Sequence, residues 1–191
     1  MPAQYTPRTH AAAPATMALA ALALVVPSAA LAHPGHRVGI SAFSQGLAHP
    51  ISGADHLAAM LLAGACAVLI GGAALWRLPL AILAGIAGGF VFAPLVNPAP
   101  AEALIALSVI ACTALLALRW RPGPALAIPA FTLFGTGHGF AHGLEAAGGP
   151  SAEFALGMLL TSSALIPSGA GIAWLFRVAL TVGAPAFRPR D

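Results

Sequence analysis

The sequence predicts an all-α protein: a polytopic transmembrane helix bundle of about five helices behind an N-terminal signal peptide, or six if the signal stays uncleaved. Three observations predict it. Of 191 residues, 59% are hydrophobic and only 7% charged, against about 25% charged in a typical soluble domain, and the mean hydropathy is +0.90. After the signal come apolar runs at 53–75, 78–96, 102–118, 125–143 and 153–177, each near the ~20 residues that cross a bilayer. The arginines alternate between the ends of those runs in a way that fits one orientation.

The elements follow in chain order. Arg8 precedes "MALAALALVV" at 17–26, and "ALA" at 30–32 offers small residues to a signal peptidase; a basic front, short apolar middle and small-residue exit make a secretory signal. Cleavage after Ala32 removes residues 1–32, with His10, and leaves 33–191 as a single membrane domain starting at His33. The alternative is an uncleaved first helix, and both place His33 outside. Residues 37–48 are too short to span and read as a half-helix or interfacial segment. The third run borrows Ala99 to Glu102 to reach full length. "NPAP" at 97–100, "RPGP" at 121–124 and "AAGGPSAE" at 146–153 are breaks rich in turn residues.

Alternating from an outer His33 puts Arg77, Arg119, Arg121, Arg177, Arg188 and Arg190 inside, as the positive-inside rule asks, and leaves Arg37 as the exception. Trp76, Trp120 and Trp174 lie beside these arginines, where interfacial tryptophans belong. The chain carries no lysine-rich or aromatic-interleaved basic run, so a nucleic-acid partner has no support and none is expected. Cys66 and Cys112 sit in apolar runs without a CxxC and read as small buried hydrophobes.

The polar residues gather at one end. "HPISGADHLAAM", 49–60, places His49, Asp55 and His56 at the outer start of the first mature helix; "GHGFAHGLE", 137–145, places His138, His142 and Glu145 at the outer end of the fourth. His33 and His36 are also outside, so six of the seven histidines share one face. His138 and His142, at i and i+4, lie on one helix face and can share a metal ion. His49 and His56 are two turns apart on a regular helix, about 10.5 Å, so Pro50 and Gly53 are expected to let His49 stand just before the helix, with Asp55 and His56 in its first turns. Asp55 also suits the positive end of the helix dipole. Glu102 and Glu153 read as ordinary acids at helix starts, and Ser44 and Gln45 as polar fillers. Ionisable groups within a membrane cost about 2.5–3.5 kcal/mol on insertion scales, so co-located ones are functional candidates. Imidazole and carboxylate suit zinc, nickel, cobalt or iron.

These residues resemble the HupE/UreJ family of hydrogenase and urease accessory membrane proteins. "AHPGH" at 32–36 is similar to the family's mature start, "FSQGLAHPISGADHLAAM" at 43–60 to its HPxxGxDH motif, and "GHGFAHGLE" to its second histidine motif. The resemblance covers nearly the whole mature chain. It implies a bacterial inner-membrane permease for nickel without ATPase domains, supplying urease or hydrogenase and meeting nickel-enzyme maturation proteins, with His49, Asp55, His56, His138, His142 and Glu145 as metal residues and His33 and His36 as added candidates. Cobalt and zinc are the other ions considered. No permanently bound cofactor is expected; the metal is cargo. One departure stands out: family members often carry a histidine in the last helix, where "SSALIPSGAG", 162–171, has Ile166 and Pro167.

Competing functions are a membrane metal-binding accessory protein or sensor that does not transport, an intramembrane enzyme and a haem-binding membrane protein. "PSGAG", 167–171, weakly resembles a rhomboid-protease serine motif, but no histidine follows Ser168 to act as base, and HExxH is absent. Haem ligation by a pair of these histidines suits ligands crowded at a membrane edge less well than a small ion does. The expectation is that the protein is not an enzyme.

Overall fold

The computed structural model describes the backbone of residues 41–95, 99–145 and 151–182. The expected signal at 1–32, His33, His36, Arg37, Arg188 and Arg190 lie outside the described residues. Within them the chain is helical without strands: α1 Ala42–Ser52, α2 Ala54–Ile70, α3 Ala74–Phe92, α4 Ala99–Leu118, α5 Pro124–Glu145 and α6 Ala152–Val182, with a 3-10 turn at Ala93–Leu95 after α3.

Local chemistry sets the boundaries. The Ser41 hydroxyl accepts the amide of Ser44 at 3.2 Å, an N-cap that starts α1. Gly71 and Gly72 have φ of 79° and 56°, which glycine adopts without steric cost; together they turn α2 into α3. This ends α2 at Ile70, earlier than the apolar run suggests, and puts Arg77 in the first turn of α3 rather than in a loop, its guanidinium 5.1 Å from the Trp76 ring centroid. Helix α4 begins at Ala99, as its borrowed residues required. It closes with Arg119 at φ 52° and the Trp120 amide bonded to the Leu115 carbonyl at 3.0 Å, the six-residue closure of a Schellman motif. Pro124 opens α5 where its missing N–H costs nothing. Glu102 and Glu153 are exposed in the first turns of α4 and α6, as helix-start acids should be.

Glycines bring the helices together. A Cβ at Gly85 or Gly89 of α3 would strike the carbonyls of Thr132 or Thr136, and one at Gly135 or Gly139 of α5 those of Ile82 or Ile86. These two small-xxx-small stripes form the most extensive helix pair, with backbones in direct contact. The rising numbers on both sides show that α3 and α5 run parallel. Gly64 and Gly169 do the same for α2 against α6, and Gly46 and Gly157 for α1 against α6. Helices α2, α4 and α6 run opposite to α3 and α5, so His49, His56, His138 and His142 fall at one end, and Trp76, Trp120 and Trp174, all more than half exposed, at the other.

Large side chains face outward: Leu80, Phe92, Leu118, Leu160, Leu175 and Phe176 are exposed, whereas Asp55, His56, Ser108, His138, His142 and Ser162 are buried. A water-soluble domain would not leave that much of its bulk apolar side chain exposed; lipid is the fitting solvent. Among the described residues three helices are long and apolar enough to cross a membrane, and a fourth crossing arises if α1 and α2, bent by 73°, count as one broken span. Five were expected. The shortfall is α5, whose 22 residues are long enough but carry two threonines, two histidines and four glycines. The threonines are satisfied within the helix, Thr132 donating to the Ile128 carbonyl at 3.0 Å and Thr136 to that of Thr132 at 2.9 Å.

Candidate metal centre

The first histidine motif is arranged in part as its sequence suggests: Asp55 and His56 lie in the first turn of α2. His49 does not stand before a helix; it lies in the last turn of α1, because residues 42–52 form a helix of their own. The break falls at Gly53, not at Pro50. The Gly53 amide donates to the His49 carbonyl at 3.3 Å and its carbonyl accepts from Leu57 at 2.9 Å, so the glycine closes one helix and opens the next. A Cβ there would lie 3.1 Å from both Asp55 Oδ1 and His56 Nδ1. The sharp bend replaces the two-turn separation with contact: the rings of His49 and His56 are 5.6 Å apart.

The second motif supplies the opposing face. His142 lies 4.2 Å from the His49 ring and 4.5 Å from that of His56, and His138 lies 4.9 Å from His56. Four imidazoles thus converge from α1, α2 and α5. One ligand nitrogen each from His49, His56 and His142 lies within 4.8 Å of the others, close enough for one ion to draw them together.

Asp55 holds rather than joins that trio. Its Oδ1 accepts the His56 backbone amide at 2.9 Å and sits 2.8 Å from His56 Nδ1. The Nδ1 proton therefore points at the carboxylate and the lone pair resides on Nε2, which is buried with no hydrogen-bond partner among the described residues. This is the carboxylate–histidine arrangement that orients metal-binding imidazoles. His138 is fixed in a comparable way. The Ser108 hydroxyl donates to the Ile105 carbonyl at 2.7 Å, so toward His138 Nε2, 3.4 Å away, it accepts; the lone pair falls on Nδ1, also buried without a hydrogen-bond partner. Glu145 ends α5, and its side chain lies outside the described residues, as do His33 and His36.

Two small cavities adjoin the cluster. One, of about 10 Å³, is lined among others by His56, His138, His142, Met60, Met158 and Ser162. The other, also about 10 Å³, includes Met60, His138, Ser108 and Cys112. Each admits about one water-sized sphere. Met158 and Ser162 come from α6, at 1% and 2% exposure. Ile166, in the stretch where a histidine was expected, is fully buried and touches Gly64 through its carbonyl. The last helix thus reaches the cluster through a thioether and a hydroxyl, one turn before that position. Sequence reasoning missed Met60, Ser108, Met158 and Ser162, since nothing marks them within apolar runs. Phe154 closes one side, 5.6 Å from His49 and stacked on Phe90 at 6.3 Å.

Comparison with known proteins agrees with the motifs. The HupE / UreJ protein family matches residues 19–185. The chain belongs to the HupE/UreJ family. Protein HupE of Rhizobium leguminosarum bv. viciae is 40% identical over 140 residues, which cover 68% of this chain and 66% of that relative; the match spans just under two thirds of the relative's length. No solved structure matches the chain. HupE/UreJ proteins are not a known enzyme family.

Proposed function

We propose that this family member is a membrane permease for a divalent transition metal, with nickel, the ion implied by the family's link to hydrogenase and urease, as its cargo. The observation that carries the reading is the convergence of His49, His56 and His142 within 4.8 Å in an apolar bundle. Such a trio satisfies three coordination positions of a borderline ion. Asp55 supplies negative charge through His56 and offsets the cost of a cation in low dielectric. Glu145 and the histidines preceding α1 are proposed as further capture groups. The arginine distribution supports a bacterial inner membrane with the cluster on the periplasmic side, so the ion is captured outside and released to maturation proteins of a nickel enzyme inside.

Permeation makes use of the cavities beyond the cluster, which a non-transporting sensor does not require. Uptake of radioactive nickel, with cobalt and zinc in parallel, into cells with and without the protein tests the reading. Equal accumulation of every ion in both cell types would refute transport.

A further inference from the structure

Beyond the imidazole cluster, along α2 and α4, the bundle holds a pair of thiols that the proposed capture step does not use. Cys66 is wholly buried and Cys112 is 2% exposed. They come from helices 46 residues apart in sequence, yet the Cys66 thiol donates to the Cys112 carbonyl at 3.5 Å. Cys112 is not sealed in side-chain packing: it lines the second cavity together with Ser108, Met60 and His138. Met60 and His138 also line the cavity at the cluster, so the two voids share two walls. His138, 2% exposed, has a ring nitrogen with no hydrogen-bond partner among the described residues.

We infer that Cys112, backed by Cys66, forms a second, sulfur-based site for the transported ion, one step further through the bundle than the histidines. The inference rests on the permease reading. An ion leaving His56 meets His138 next, then the Met60 thioether and the Cys112 sulfur. Donor softness rises along this line, from imidazole to thioether and thiolate, which favours borderline and soft ions and gives magnesium or calcium no suitable ligand. As the ion binds, the Cys112 S–H bond breaks heterolytically; its electron pair becomes the metal–sulfur bond and the proton is released. Small-hydrophobe packing would also explain two buried cysteines. It would not explain why Cys112 lines a void whose walls Met60 and His138 carry on into the cavity at the histidine cluster.

The test uses the full-length protein and cobalt alone as probe. Wild-type protein loaded with Co²⁺ should show a near-ultraviolet sulfur-to-metal charge-transfer band, with nickel uptake in cells as a second readout. Cys112→Ala should remove the band and lower uptake by about tenfold or more, the loss typical when a metal site's supporting groups go, while His56-dependent cobalt binding persists. Cys66→Ala should keep the band and weaken uptake less than Cys112→Ala, and loss of the band in Cys66→Ala with the band kept in Cys112→Ala would overturn the assignment of Cys112 as the ligand. Cobalt bound through the histidines with no such band, or full uptake in Cys112→Ala, would overturn the thiol site and leave the permease standing. Failure of wild-type protein to bind or take up any divalent ion would overturn both.

Discussion

The two histidine motifs reach the same point by opposite means. On α5, His138 and His142 sit one turn apart on a continuous helix, and regular geometry aligns them. Between α1 and α2, His49 and His56 are seven residues apart and meet only because the chain bends by 73° at Gly53. One motif is a helix face and the other a hinge. The comparison teaches that motif spacing predicts contact only after the helix is known to be whole. It also locates vulnerability: the α5 pair depends on the α3–α5 glycine seam, the other pair on a single residue.

The largest expected effect comes from the ligands. His56→Ala and His142→Ala should each abolish nickel uptake at unchanged membrane protein level, and the double variant should be no worse than either single one. Substantial uptake in either would separate the cluster from transport. Gly139→Leu comes next and acts differently: its side chain would strike the Ile86 carbonyl, and overpacking of this kind typically costs about 1–3 kcal/mol. Folded yield in detergent should drop, whereas the histidine variants leave it unchanged; a normal yield would mean that the seam is not close-packed. Asp55→Asn keeps the shape but removes the charge behind His56, so metal affinity should fall about 10–100-fold by equilibrium dialysis. An unchanged affinity would make Asp55 a helix-start residue only. Gly53→Ala tests the hinge: the added methyl presses on Asp55 and His56, and affinity should decline in the same direction by a smaller factor. Acidification gives the mildest probe. Imidazole must be neutral to bind metal, so uptake should decrease as the external pH is lowered. Faster uptake in acid would argue against imidazole ligands.

The sequence shows the bundle because hydropathy and arginine placement are properties of each segment alone. Shared depth of the two motifs follows from alternation, and the i, i+4 pair from helical period. That the chain can bend at Gly53 was legible, but not that Pro50 stays inside a helix of its own while Gly53 takes the extended backbone that separates the two helices. Asp55 was visible as a polar residue but not as the partner of His56, since ligand and orienting carboxylate look alike in one dimension. Met60, Ser108, Met158 and Ser162, and the meeting of Cys66 with Cys112, depend on which faces of distant helices oppose each other, and an apolar run with weak amphipathicity does not encode that locally.

Helix α6 carries a consequence for the ion's environment. Its 31 residues make it about 46 Å long, against a hydrocarbon layer of about 30 Å, so it must lean or overshoot. Trp174 and Arg177 anchor one end near a headgroup boundary. Met158 stands 16 residues from Trp174, a rise of about 24 Å along the helix, so the imidazole cluster lies toward the opposite side of a layer about 30 Å thick. In the proposed permease, an arriving cation exchanges water for protein ligands where it meets nitrogen. A thicker bilayer would deepen that exchange and a thinner one relieve it.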